Sequence, residues 1–301
     1  MTVFPVSSLR SVDVGTPDID GSEGFYTEVW GLDVAARAAG AVYLRATGPD
    51  HHVLVLYSSD QPELRSVTFR VGSEDALHRI AAAAPATGAD IITVPAANTG
   101  PDGGIELTIR EPQGGVLRFV YGDRQHGDVR PVPNRPLRLA HVNINSTDVD
   151  AATTFYRSAL GFQLTDRSKL MAFVRCNSDH HAVVLADAPV NGLNHIAFLM
   201  PDLESVMRGS GRLVDHGFPI GWGIGRHGPG DNVFAYFVDP TGVVIEYTAE
   251  VLQVDDGYVV RGPDEWQWPP GRTDHWGIAP PKSDAVKAAQ TAVLHAARAT
   301  R

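Results

Sequence analysis

One cysteine, Cys176, occurs among 301 residues. That excludes an intrachain disulfide framework and suits a reducing compartment. Long apolar runs are missing as well: none approaches the about 18 residues a membrane span needs. The opening MTVFPVSSLRSVDV lacks a basic start followed by an apolar core, so no signal peptide is expected. Positive charge is scarce, with 25 Lys and Arg against 35 Asp and Glu and a net charge of −10. This argues against nucleic acid and anionic membrane surfaces as partners. Long-range attraction of acidic substrates is disfavoured too, which leaves them only a local basic pocket. These absences together lead us to expect a cytoplasmic protein. Hydrophobic residues at 43% and charged ones at 20% are ordinary for a globular chain, and the length fits two domains or one large one.

What is present is a repeat. LRSVDVGTPDIDGSEGFYTEVWGLDV from Leu9 matches LAHVNINSTDVDAATTFYRSALGFQL from Leu139. TGPDHHVLVL from Thr47 matches CNSDHHAVVL from Cys176, LRSVTF from Leu64 matches LNHIAF from Leu193, and EPQGGVLRF from Glu111 matches DPTGVVIEY from Asp239. The offsets are 130, 129, 129 and 128 residues, in order, which indicates a duplication. Each half reads as βαβββ twice, giving an α+β chain. The expected layout is an N-terminal module 1–123, a linker 124–136 rich in Pro and charge, a C-terminal module 137–253 and a tail 254–301. Helices are predicted over Val149–Leu160, capped by Ser146 or Thr147, and over Leu203–Asp215. Strands are predicted at 139–143, 171–176, 181–185, 195–199, 233–238 and 243–248. The tail, with three tryptophans and many prolines, reads as a wrap or lid. Its alanine-rich end, 283–299, reads as a terminal helix for packing or subunit contact.

The duplication supplies its own control. His141, His195 and Glu246 in the second copy stand where the first has Ser11, Ser66 and Arg118. Two neutral imidazoles and one carboxylate with open positions suit non-haem ferrous iron. An arginine in place of the carboxylate would repel a cation, so the first half should be metal-free. A lone strand histidine is more often a hydrogen-bonded core residue. Glu246 amid VVIEYT is less ordinary, because a buried carboxylate needs a metal or an ion pair, Arg175 being one candidate. In CNSDHHAVVL, successive strand side chains alternate faces, so His180 and His181 should not both enter one site.

The second half resembles the type I extradiol ring-cleaving dioxygenases of the vicinal oxygen chelate superfamily. The motifs that carry the resemblance are LAHVNI, DHHAVVL, GLNHIAF, GRHGPGDNVFAYF and DPTGVVIEY. The resemblance implies two tandem modules of paired βαβββ units, the vicinal oxygen chelate or glyoxalase-like fold, each an incomplete β-barrel, with metal only in the C-terminal one. It implies His141, His195 and Glu246 as ligands to Fe(II), with Mn(II) an alternative that shares the set. His181, fourteen residues before His195, falls at the acid–base histidine. His180 is then expected to point away as a structural or surface residue. His227 and Tyr236 fall at substrate-contacting, catalytic positions, and Asn143 shares a strand face with His141 and is a further substrate contact. Each has a plainer reading. The first copy keeps its own pair, His51 and His52, so the two histidines could be a strand-entry feature. His227 could be solvated in a glycine-rich loop, and Tyr236 an ordinary strand aromatic. Arg226 could be a loop ion pair or a substrate contact.

The implied partners are a small aromatic diol and O2, and the resemblance implies a homo-oligomer. Trp222, in PIGWGI, leans toward an apolar substituted or fused-ring diol. Closure by a tail bearing Trp266, Trp268, Arg272 and Trp276 would reverse that lean. Two alternatives stand beside the dioxygenase: a metal-dependent isomerase or lyase of the same superfamily, and a non-catalytic protein that binds aromatic compounds.

Overall fold

The computed structural model describes residues 5–297 apart from 128 and 130. Four βαβββ units follow one another. The first is β1 (Val6–Thr16), α1 (Ile19–Gly24), β2 (Asp33–Ala38), β3 (Ala41–Arg45) and β4 (Leu54–Ser58). The second is β5 (Glu63–Val71), α2 (Glu74–Ala83), β6 (Asp90–Ala97), β7 (Ile105–Arg110) and β8 (Val116–Tyr121). The third is β9 (Arg138–Ser146), α3 (Val149–Leu160), β10 (Gln163–Arg167), β11 (Met171–Arg175) and β12 (Val183–Asp187). The fourth is β13 (Gly192–Leu199), α4 (Leu203–Asp215), β14 (Trp222–Arg226), β15 (Val233–Val238) and β16 (Val244–Ala249). The tail adds a short helix, α5 (Asp284–Ala289), and a last strand, β17 (Val293–His295).

The pairing repeats as the elements do. β1 runs parallel to β4 and antiparallel to β5, and β5 runs parallel to β8. β9, β12, β13 and β16 make the same three pairings. Each half is thus an open, curved sheet with its two long central strands antiparallel, as an α+β incomplete barrel requires. Among the described residues no helix is long and apolar enough to cross a membrane.

Helices α3 and α4 have the predicted bounds because an apolar stripe, a short acidic cap and a following chain reversal all agree. The cap of α3 is Asp148, not Ser146 or Thr147: its carboxylate accepts from Ala151 N at 2.9 Å. Ser146 Oγ instead accepts from Asp148 N at 3.1 Å and shapes the entry turn. The predicted terminal helix is corrected. Only Asp284–Ala289 is helical, the chain then turns, and Val293–His295 pairs antiparallel with β13 and parallel with β5. The end of that prediction, 298–299, lies outside the described residues.

The halves share one apolar core. After α1 the chain makes a π-helical turn, Phe25–Trp30, that carries Trp30 into the other half. Its indole stacks on Tyr247 at 3.7 Å between centroids, and Arg212 of α4 donates to Val29 O at 2.6 Å and Trp30 O at 3.1 Å. Tyr26 OH donates to Asp239 at 2.8 Å.

Candidate metal centre

Three neighbouring strands, β9, β13 and β16, build the centre. Ala197 lies opposite His141 on one side and opposite Glu246 on the other. His195 is two residues earlier on the Ala197 strand and so projects to the same face. The register therefore converges on one point three side chains that lie up to 105 positions apart in the chain. His141 Nε2 lies 3.1 Å from His195 Nε2 and 3.2 Å from Glu246 Oε2, and His195 Nε2 lies 3.1 Å from that oxygen. All three residues are buried. Among the described residues they are the group whose donors cluster closely enough to hold an ion.

The donor set fits a divalent cation. Both Glu246 carboxylate oxygens are buried without a well-directed hydrogen bond. Three electron-rich atoms forming a near-equilateral triangle repel one another unless something positive lies between them. Arg175, the alternative partner for Glu246, is elsewhere, donating to Gln163 at 2.6 Å and to Asn177 O at 3.0 Å. Burial pushes His195 down to about 4, so its imidazole is neutral, as a ligand must be. Burial alone would raise the Glu246 carboxyl, but His141 and the other imidazoles outweigh it and keep it ionised. His195 Nδ1 donates to Asn194 Oδ1 at 2.9 Å, which leaves Nε2 bare for a metal.

A cavity of about 270 Å³ opens beside the triad. His181, His227, Tyr236 and Asn143 all line it. The His181 ring lies 4.4 Å from that of His141. Tyr236, directly opposite Glu246 in the β15–β16 pair, places its hydroxyl 3.1 Å from His227 Nε2 and 3.5 Å from His195 Nε2. His227 is not simply solvated: it stacks on Phe234 at 4.0 Å. Asn143 is opposite His195, with its Oδ1 buried and unpaired. Arg226 does not line the cavity. It forms the loop ion pair, with Glu250 and Asp231, and covers Trp276.

The two adjacent histidines behave differently from the strand argument. Both precede β12 in a turn, both are buried, and their Nδ1 atoms lie 3.0 Å apart. His180 is neither a surface residue nor idle. Its Nε2 lies 2.8 Å from Asp166, a fully buried carboxylate also held by Tyr258 and Arg261. A proton on His180 Nε2, donated to the Asp166 carboxylate, leaves Nδ1 as the acceptor. His181 then donates from Nδ1 and turns a bare Nε2 toward the cavity.

In the first half, Ser11, Ser66 and Arg118 hold the same registers. Arg118 pairs with Asp13 at 3.0 Å and with Glu106, and Ser66 Oγ donates to that Asp13 at 2.9 Å. A guanidinium salt bridge thus fills the place of the triad.

Several site residues escape the sequence reading. Asn194 could have been found, because the first copy has Arg65 at that position. Thr273, Lys282 and Gln290 of the tail could not, since they lie outside the repeat. Trp266, Trp268, Thr273, Lys282 and Gln290 all line the cavity, whereas Arg272 and Trp276 do not. Gln290 Nε2 donates to Asn194 Oδ1 at 2.7 Å and so braces His195 from behind. Burial pushes Lys282 down to about 8.

Residues 138–247 match the profile of the Glyoxalase/Bleomycin resistance protein/Dioxygenase superfamily. Metapyrocatechase 2 from Cupriavidus necator is 37% identical over 139 residues, which span 45% of this chain and 41% of that one. The manganese-dependent 2,3-dihydroxybiphenyl 1,2-dioxygenase from Geobacillus genomosp. 3 is 23% identical across 87% of this chain and 90% of its own. Among solved structures, the Mn(II)-bound glyoxalase from Novosphingobium aromaticivorans superposes with a TM-score of 0.86 at 31% identity, covering 94% of each chain.

Proposed function

Since this chain belongs to the Glyoxalase/Bleomycin resistance protein/Dioxygenase superfamily, we propose that it is an extradiol dioxygenase, which opens an aromatic ring next to a vicinal diol with O2. One observation carries the reading. Three metal-competent donors occupy one side of a point whose other side faces a mostly apolar cavity, and that cavity also holds His181, His227 and Tyr236. A small ring fits about 270 Å³.

His141, His195 and Glu246 would hold divalent iron or manganese, which when bound makes the diol more acidic and gives electrons a path between ring and O2. The remaining work belongs to side chains of this chain. Tyr236 and His227, 3.1 Å apart, hold one diol oxygen and accept its proton. His181 hydrogen-bonds oxygen at the ring and passes a proton there, with His180 and Asp166 setting its tautomer. Phe173, Val184, Trp222, Trp266 and Trp268 exclude water. Both atoms of O2 end in the ring-opened product. In this reading 1–123 is a metal-free module, 124–136 a linker, 137–253 the catalytic module and 254–301 the lid. The protein works as a cytoplasmic homo-oligomer.

The likeness to the Novosphingobium glyoxalase favours a second reading, a metal-dependent isomerase. A single preparation separates the two. Protein loaded with Fe(II) or Mn(II) without air is given catechol, then O2. Uptake of one O2 per diol, with a new visible absorbance, supports the dioxygenase. Absence of uptake across simple, biphenyl, naphthalene and carboxylated diols rejects it, and conversion of a thiol–oxoaldehyde adduct without O2 would establish the isomerase.

A further inference from the structure

The cavity has a charge that the proposed reaction does not use. Its lining includes Lys169 and Lys282 and no aspartate or glutamate, in a chain with ten more acidic than basic residues. Lys282 comes from the tail and is partly buried. Its ammonium donates to Gln290 Oε1 at 3.2 Å and lies 4.5 Å from the centre of the Trp222 ring. Among the described residues no carboxylate forms an ion pair with it. A neutral amide and an aromatic face compensate a desolvated ammonium only in part. Glu246 does not supply the balance: a divalent ion, that carboxylate and a singly ionised diol already neutralise one another, and the lysine charge remains.

Its position relative to the triad is defined. Tyr236, which touches the centre through His195 and His227, is opposite Trp222 in the β14–β15 pair, with ring centroids 5.1 Å apart. Lys282 covers the same indole. A diol held at Tyr236 therefore extends its ring along Trp222, and a short substituent beyond the ring reaches the ammonium. Thr273, whose hydroxyl lies 3.4 Å from Trp222 Nε1, adds a second polar group on that side.

We propose that the substrate is an aromatic diol whose ring carries a carboxylate on a short arm, and that Lys282 of the tail is the residue that selects it. This rests on the dioxygenase reading and reverses the lean toward an apolar diol. The tail then acts as a charge-reading lid as well as a cover against water.

The test compares dihydroxyphenyl acids having zero, one or two methylenes before the carboxylate with their methyl amides. Binding to the full-length Mn(II)-loaded protein is titrated without O2, so that affinity is read apart from turnover. At least one acid is expected to bind ten-fold or more tighter than its amide. Lys282→Met should bring that ratio to within about two-fold of unity, and Lys282→Arg should keep most of it. Equal binding of every acid and its amide, or a ratio that survives in Lys282→Met, overturns the assignment. Oxygen uptake with plain catechol by the same preparation separates the two levels. Uptake without acid preference removes only the role of Lys282, whereas failure to bind or oxidise any diol removes the dioxygenase reading and this inference with it.

Discussion

At the scale of single residues, the paired histidines show how one local feature serves two ends. His51 and His52 in the first half make the same 3.0 Å Nδ1 contact as His180 and His181. The contact is thus part of the shared architecture. What differs is what lies beyond it: His52 meets Arg10, whereas His181 faces the triad. His181→Phe should therefore retain metal, measured by elemental analysis, and lower turnover by about 10²- to 10⁴-fold. His195→Ala should lose the metal itself. If His181→Phe loses metal as well, the division of roles is wrong. Gly230 gives a subtler check. Its φ is +83°, and a Cβ there would stand 2.8 Å from His181 Cε1. Gly230→Ala forces the imidazole aside, and kcat should fall about 10- to 100-fold with metal content unchanged. Nothing in the string GRHGPGD marks this glycine over its neighbours, because the clash is with a residue 49 positions away.

At the scale of elements, α3 and α4 were legible because apolar period, cap and chain reversal coincide within a dozen residues. The chain's end was misread for the complementary reason. Alanine content signals helix propensity, but it carries no information about the first residues of β5 and β13, left unpaired on one side by β8 and β16, that recruit Val293–His295. That strand makes an acid-sensitive clasp. Burial, with Arg110 adding to it, pushes His295 down to about 4, against roughly 6.5 when unfolded. The unfolded chain then binds the proton more readily. Stability is full above about pH 6.5 and is lost as the pH falls toward 4, with about 2 kcal/mol gone by pH 5. Urea unfolding at pH 7 and pH 5 should show this loss in the wild type and a smaller one in His295→Gln. Equal losses would mean that the imidazole is already protonated in the fold.

At the scale of the whole molecule, the triad was legible because duplication aligned each ligand with a non-ligand. Lys282, Gln290 and the tail tryptophans have no counterpart in the other half, so the same comparison passes over them. The first half raises a further question: what a module with a salt bridge in place of the triad contributes. The answer suggested by packing is a wall. Glu246 points toward His141 and His195, and its neighbour Tyr247 points the other way, onto Trp30 of the first half. Tyr247 and Arg212 both bond to Trp30 O. The strand that presents the carboxylate is thus backed by the other module's π-helical turn. Trp30→Ala leaves a void beneath β16 and should cost about 3–5 kcal/mol of stability. Its effect should also reach the centre. A loosened β16 holds Glu246 less firmly against His141 and His195, so metal affinity should fall although no ligand has changed. Thermal unfolding with and without Mn(II) measures both. The stabilisation conferred by the ion should shrink in Trp30→Ala, and an undiminished metal increment on a lowered Tm would limit the first half to stability alone.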